Sequence, residues 1–290
     1  MNVLVSHFLA FIHKKEIITM TTQSTRPILV VKLGGGQGLD MARCLDDLAV
    51  LSQQYALIVV HGISHAVNEL CHERGVAVQT ITSPNGHTSR YTTPEVRDVF
   101  VEASHRVTSE LVAGFAERGL VAQGMTNTPP LVGERKTALR AMVDGKIRMI
   151  RDDYSGTISN INTIPLYEAV NNGIIPILPP LAMSDDGLLN VDGDRASAFV
   201  AGAVCADQLI ILSNVRGLYK AFPDETSFIP SVRHTDMHMA LDWAQGRMKR
   251  KVLGAQEALQ GGVRRVVIGD GRVHAPVSSA LNGAGTEFLS

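Results

Sequence analysis

Lys32 closes the apolar run Ile28-Leu-Val-Val-Lys32 and is followed at once by Gly34, Gly35, Gly36 and Gly38. An ammonium beside small residues with free backbone N–H groups can hold phosphate oxygens, although a glycine run can also be only a flexible turn. The run is neither common nucleotide fingerprint: Gly-x-x-x-x-Gly-Lys-[Ser/Thr] is absent, and Leu39 stands where the dinucleotide motif needs its third glycine. Asn190-Val-Asp-Gly-Asp194 precedes a helical pattern. Its carboxylates suit a substrate, a metal-bound phosphate or the ordering of lysines, and equally an Asx turn with Asp194 as helix cap; strand alternation would put Asn190, Asp192 and Asp194 on one side. Gln245-Gly-Arg-Met-Lys-Arg-Lys251 opens another helical pattern with four basic residues, where the helix dipole disfavours cations. Either an anion compensates or the face is solvated. His61, His65, Glu69 and His72 resemble a zinc set, but His61 ends a strand and Gly62 breaks the helical spacing, so no metal site is expected.

The elements that must position these groups alternate. Short β-branched runs at 28–32, 57–61, 174–178, 209–213 and 265–268 are separated by amphipathic stretches at 41–54, 65–74, 94–118, 161–172, 196–205 and 248–260. Strands apolar on both faces imply helices above and below: an α/β fold, a three-layer α/β/α sandwich with a mainly parallel central sheet. Ligands in such sheets bind beyond the carboxyl ends of the strands, where Lys32, Gly34, His61-Gly62-Ile63 and Ser213-Asn214-Val-Arg-Gly217 all fall. Asp144-Gly145 and Asp186-Gly187 signal two hairpins projecting near that edge. A boundary near Asn190 divides 27–189 from 190–290.

Of 290 residues 45% are apolar, and 27 basic residues balance 28 acidic ones. That excludes a disordered chain and a generally basic nucleic-acid binder. Cys44, Cys71 and Cys205 make neither a disulfide framework nor a cysteine metal site, which fits a reducing cytoplasm. Met1–Ile12 is apolar but lacks a basic start and a cleavage site, so residues 1–26 are expected to be a disordered leader, with Met20 a natural alternative start; no later run is long enough to span a bilayer.

Together, Lys32-x-Gly-Gly35, His61-Gly62, Ser89-Arg-Tyr-Thr92, Asn190-x-Asp-Gly-Asp194, Ser213-Asn-Val-x-Gly217, Gly246-x-Met-x-x-Lys251 and Asp270-Gly-Arg272 with Gly283-x-Gly-Thr286 resemble the amino acid kinase family, in its N-acetylglutamate kinase branch. Arg151–Thr157, Gln245–Lys251 and Pro223–Ser227 are most similar to the [LysW]-aminoadipate kinases of that branch, which phosphorylate the side-chain carboxylate of aminoadipate or glutamate held by its amino group on a small acidic carrier protein. The resemblance implies ATP and Mg²⁺, a homodimer, and a place in lysine or arginine biosynthesis. It implies that Lys32 and Lys251 stabilise the transition state, that Asp194 organises them, and that Gly62, Ile63, Arg90 and Asn190 contact the acyl substrate. The nucleotide would meet Gly34, Gly35, Ser213, Asn214, Gly217, Gly246 and Met248. A carboxylate nucleophile is already ionised, so positioning and charge stabilisation must do the catalysis. Ile63 departs from the family, which places a glycine there; Ile cannot cheaply adopt a positive φ, so its N–H serves only if the local backbone is ordinary.

Arg135, Lys136, Arg140, Lys146, Arg148 and Arg151 crowd the first hairpin, with Lys249 and Arg250 expected nearby. A basic rim would steer an acidic carrier to the site, whereas edge strands also carry lysines merely to avoid aggregation. The competing functions are a kinase for free N-acetylglutamate and a catalytically silent sensor of an amino acid or nucleotide.

Overall fold

The computed structural model describes residues 26–83, 88–143 and 146–290. The expected leader, apart from Arg26, and the Asp144-Gly145 turn lie outside the described residues. The chain runs β1 (Ile28–Leu33), α1 (Met41–Leu51), β2 (Ala56–His61), α2 (Ser64–Glu73), β3 (Thr80–Thr82), β4 (Thr88–Arg90), α3 (Pro94–Ala116), β5 (Ala122–Gly124), β6 (Leu131–Arg135), β7 (Leu139–Val143), β8 (Lys146–Ile150) and β9 (Gly156–Ile161). It continues through α4 (Ile164–Asn171), β10 (Ile175–Leu178), β11 (Leu181–Ser184), β12 (Gly187–Asn190), α5 (Gly193–Ala203), β13 (Gln208–Ser213), β14 (Leu218–Tyr219), β15 (Phe228–Ile229) and β16 (Ser231–Arg233). It ends with α6 (Met237–Trp243), α7 (Gly246–Gln260), β17 (Arg265–Asp270), α8 (Pro276–Leu281) and β18 (Thr286–Leu289).

The central sheet has the order β16-β18-β17-β13-β1-β2-β10-β5, with only the β17–β18 pair antiparallel. Period-two alternation assigns its two faces. Leu29, Val31 and Leu33 pack with α1, α3 and α8, whereas Ile28 and Val30 pack with α4, α5, α6 and α7. The fold is thus the expected three-layer α/β/α sandwich. Lys32 shares the parity of Val30 and lies on the α5/α7 side; His61 shares the parity of Val59 and lies on the α3 side.

Three helix starts differ from expectation by two or three residues, and α6 and α8 are helices that the apolar pattern did not mark. The stretch 161–163 is not helical because Ile161 is still paired in β9, so α4 begins at Ile164 and carries Pro165 in its first turn. α5 starts at Gly193 and α7 at Gly246, each earlier than the apolar pattern suggested. Two smaller sheets stand at the carboxyl edge. One, β12-β11-β6-β9, contains the expected second hairpin; the other, β4-β3-β7-β8, joins the first hairpin to a β3–β4 pair that apolar patterning did not mark.

Candidate active site

Three charged side chains from distant parts of the chain meet beyond the end of β1. Lys32 Nζ lies 2.7 Å from Asp194 Oδ1, and Lys251 Nζ lies 3.0 Å from Asp194 Oδ2. All three residues are buried. Strand parity turns Lys32 toward α5, and Gly254 lets α7 come close: a Cβ at that position would stand 3.0 Å from the Asp194 carbonyl oxygen. Burial alone would raise the Asp194 pKa, but Lys32 and Lys251 outweigh it and hold the carboxyl well below the usual range. Burial and the neighbouring Lys32 push Lys251 down, against the opposing pull of Asp194.

Asp194 is not the cap of α5. Asp192 is, accepting from the N–H groups of Asp194 and Arg195 at 3.0 Å each, and the helix geometry ends the alternation assumed for Asn190, Asp192 and Asp194. The three side chains diverge: Asn190 Nδ2 donates to Thr92 Oγ1 at 2.9 Å, Asp192 meets Arg250, and Asp194 meets the lysines. The basic start of α7 is therefore compensated in part from within, by Asp192 and Asp194 of the neighbouring helix start.

The glycine loops lie against each other. A Cβ on Gly35 would stand 2.2 Å from the Gly62 carbonyl carbon, and one on Gly62 would stand 2.5 Å from the Gly35 nitrogen. Gly62 N–H donates to Leu33 O at 2.9 Å, while Gly35 O accepts from His65 N and Ser64 Oγ. Ile63 has φ −136°, an ordinary conformation, and its side chain is buried with Val67, Phe100 and Leu181. The backbone there therefore needs no glycine. Behind it, His61 Nε2 is 2.8 Å from Thr108 Oγ1, and burial, reinforced by Lys32, pushes the imidazole down to about 4.

Arg90 Nη2 donates to Asn68 Oδ1 at 2.6 Å and to Ser64 O at 3.3 Å. Its Nη1 is buried without a hydrogen-bond partner among the described residues, a donor suited to a carboxylate. Arg247 Nη1 and Asn214 approach the Gly34–Gly38 loop, so the start of α7 and the end of β13 border one space. Ser213 is buried at the end of β13, its carbonyl accepting from Gly271 N–H at 2.7 Å, and Gly246 takes φ +51°. A Cβ at Gly217 would collide with Thr286 Oγ1 at 2.5 Å, and Met248 packs half-buried on the core. A cavity of about 490 Å³ opens between β9, α5 and α7, but neither Lys32 nor Lys251 lines it.

The basic rim divides. Lys136, Arg140, Lys146, Arg148, Arg151 and Lys249 are exposed. Arg135 is engaged within the fold: its guanidinium donates to Asp153 O and Arg151 O, pairs with Asp186 and stacks 4.0 Å over the Tyr154 ring. Arg250 is likewise engaged, by Asp192 Oδ2 at 3.3 Å and by the Thr88 carbonyl. Within Arg151–Thr157, a stretch that the resemblance singled out, the sequence assigned no role to Asp153, which is fully buried and accepts from Thr92 and Ser155.

The family model of the amino acid kinase family matches residues 27–270. The chain belongs to the amino acid kinase family. This family member is 39% identical to the [LysW]-aminoadipate kinase of Deinococcus radiodurans over 264 residues, 89% of this chain and 90% of that one. It is 38% identical to the [LysW]-aminoadipate kinase of Thermus thermophilus over 268 residues, 89% and 99% of the two chains. Among solved structures, N-acetylglutamate synthase from Neisseria gonorrhoeae, complexed with coenzyme A and N-acetyl-glutamate, shares the fold with a TM-score of 0.74 at 24% identity. That match covers 91% of this chain and 59% of the synthase.

Proposed function

We propose that the protein transfers the γ-phosphoryl group of ATP to the side-chain carboxylate of 2-aminoadipate, or of glutamate, joined through its amino group to a small acidic carrier protein. A carboxylate oxygen forms a bond to the γ-phosphorus as the bond to the bridging oxygen breaks, yielding ADP and an acyl phosphate. The observation that carries this reading is the convergence of Lys32 and Lys251 on Asp194, which holds two ammoniums where a migrating phosphoryl group develops charge. Residues 27–189 serve the acyl substrate and carrier, with Arg90 Nη1 facing a substrate carboxylate, Ile63 offering its backbone N–H, and Gly62, whose own N–H is held by Leu33 O, allowing close approach of the substrate. Residues 190–290 serve the nucleotide, through Ser213, Asn214 and Gly246, with Gly34 and Gly35 closing over its phosphates.

Among the described residues no group of three His, Cys, Asp or Glu side chains is placed to hold a metal ion, and Asp194 is taken up by the lysines. Magnesium would accompany ATP, held by its phosphates, where it neutralises phosphate charge. The exposed cations of the β7–β8 hairpin and Lys249 support carrier docking, as do the names of the relatives. Aminoadipate and glutamate differ by one methylene, worth about 1–3 kcal/mol in a pocket, so which carrier-linked substrate is turned over decides between lysine biosynthesis, arginine biosynthesis and both. It takes the enzyme as a cytoplasmic homodimer, which mass measurement in solution tests; no helix among the described residues is long and apolar enough to cross a membrane.

The test is ATP consumption with carrier-linked aminoadipate, carrier-linked glutamate and free N-acetylglutamate across a salt series. Preference for the carrier-linked compounds, with KM rising as salt rises, is expected. Preference for the free compound makes the protein an N-acetylglutamate kinase, and no turnover with any of them leaves a silent sensor.

A further inference from the structure

We propose that Arg250 is a positioning residue that latches the acyl-substrate hairpin to the phosphoryl-transfer helix. Adjacent residues of α7 point to different tasks. Lys251 turns inward to Asp194, whereas Arg250 reaches across the mouth, Nη1 to Asp192 Oδ2 and Nη2 to the Thr88 carbonyl. Thr88 opens β4, the outermost strand of the sheet β4-β3-β7-β8, and Arg90 lies two residues further along it. Asp192 uses its other oxygen, Oδ1, to cap α5, whose second residue is Asp194. One guanidinium thus ties together the three elements that bear Arg90, Asp194 and Lys251.

The forked geometry matters here, because a planar guanidinium can serve two diverging acceptors at once while an ammonium is a point charge. With Arg250 engaged, the small sheet is held at a set distance from α7. Without it, the Thr88 carbonyl loses this donor and Asp192 loses its cation, and among the described residues β4 keeps its short pairing with β3 and the bonds of Arg90 to Ser64 and Asn68, neither of which reaches α7. A reacting carboxylate and the γ-phosphorus must approach closely and in line, so freedom of one wall relative to the other is costly to the transition state. The kinetic part of this inference rests on the kinase reading; the structural part does not.

The test compares the full chain with R250Q, R250K, D192N and the exposed-site control R264Q, whose guanidinium pairs with Asp207 away from the site. Hydrogen exchange of the segment 79–91 reports the tether directly: R250Q is expected to exchange there about tenfold faster and R264Q as wild type. In turnover, kcat for the acyl substrate should fall about tenfold or more in R250Q, with ATP affinity in the absence of acyl substrate held within about twofold. R250K, retaining one partner, should fall between. D192N keeps a good cap and leaves Arg250 the Thr88 carbonyl, so it too should fall between, and the D192N/R250Q double variant should match R250Q. The latch is overturned if exchange at 79–91 is unchanged, or if R250Q raises only KM for the carrier-linked substrate in a salt-dependent way, which would make Arg250 a docking contact. Should wild type turn over no acyl substrate, the functional reading fails while the exchange comparison still decides the latch; should R250Q not fold, R250K and D192N decide it.

Discussion

Replacing Asp194 by Asn removes the carboxylate that both lysines share and changes almost nothing in volume. Lys32 and Lys251 would then face each other as buried ammoniums, each having lost a partner within 3.0 Å. Breaking a buried ion pair by removing one partner costs about 3–5 kcal/mol, which lowers Tm by roughly 10 °C in a chain of this size. Turnover should fall by at least about 10²-fold, because the ammoniums no longer hold a common position for the migrating charge. The pH profile adds a separate sign. On the proposed reading Lys251 works protonated; burial with Lys32 nearby depresses its pKa, so wild-type kcat should be lost as pH rises through a value below the ordinary lysine figure of about 10.4. Asp194 opposes that depression, so in D194N the alkaline fall moves to still lower pH. In acid the order reverses: the stabilisation that Asp194 gives is fully present above the ordinary aspartate pKa of about 3.9 and is lost only as pH falls toward its depressed value. A coupled ATP assay and thermal denaturation across pH check all of this. D194N with kcat within about threefold of wild type, an unmoved alkaline limb and an unchanged Tm would refute the shared-carboxylate argument.

K251M should lose about 10²-fold or more in kcat while Lys32 keeps its partner, so single-turnover kinetics will separate lost chemistry from lost ATP binding. His61 is held neutral by burial with a pKa of about 4, so its stabilising effect is present above the unfolded value of about 6.5 and is lost as pH falls from there to about 4, on the order of 3 kcal/mol; H61Q should flatten that part of the stability profile in chemical denaturation. G35A places a methyl group against the Gly62 backbone, so a loss of about 1–3 kcal/mol in stability and about 10²-fold in kcat/KM is expected, measured by denaturation and steady-state kinetics.

Much of this architecture is written in the chain at short range. The apolar runs that become β1, β2, β10, β13 and β17 are long enough to name themselves, and parity alone places Lys32 on the face opposite to Leu33. The residue types of Lys32, Asp194 and Lys251 announce their chemistry, but their meeting depends on how closely α5 and α7 pack, which Gly254 permits and no local pattern reports. Thr80–Thr82 and Thr88–Arg90 are short and polar, so apolar alternation overlooks them; the intervening Asn85-Gly86 is the signal that could have found the pair. Arg135 and Arg250 look like free surface charge in sequence because their acceptors, Asp153 O, Arg151 O and Thr88 O, are backbone atoms that any residue could supply. Distant capping is equally silent: Asp47 accepts from Val277 and Ser278, far along the chain, at the start of α8.

With both amines protonated, Lys32, Asp194 and Lys251 sum to one net positive charge on three buried side chains. Such a surplus draws in whatever small anion the buffer offers. Sulfate, phosphate and chloride should therefore compete with nucleotide according to their fit and hydration as well as ionic strength. Affinities measured in different salts will disagree for a reason rooted in the resting enzyme.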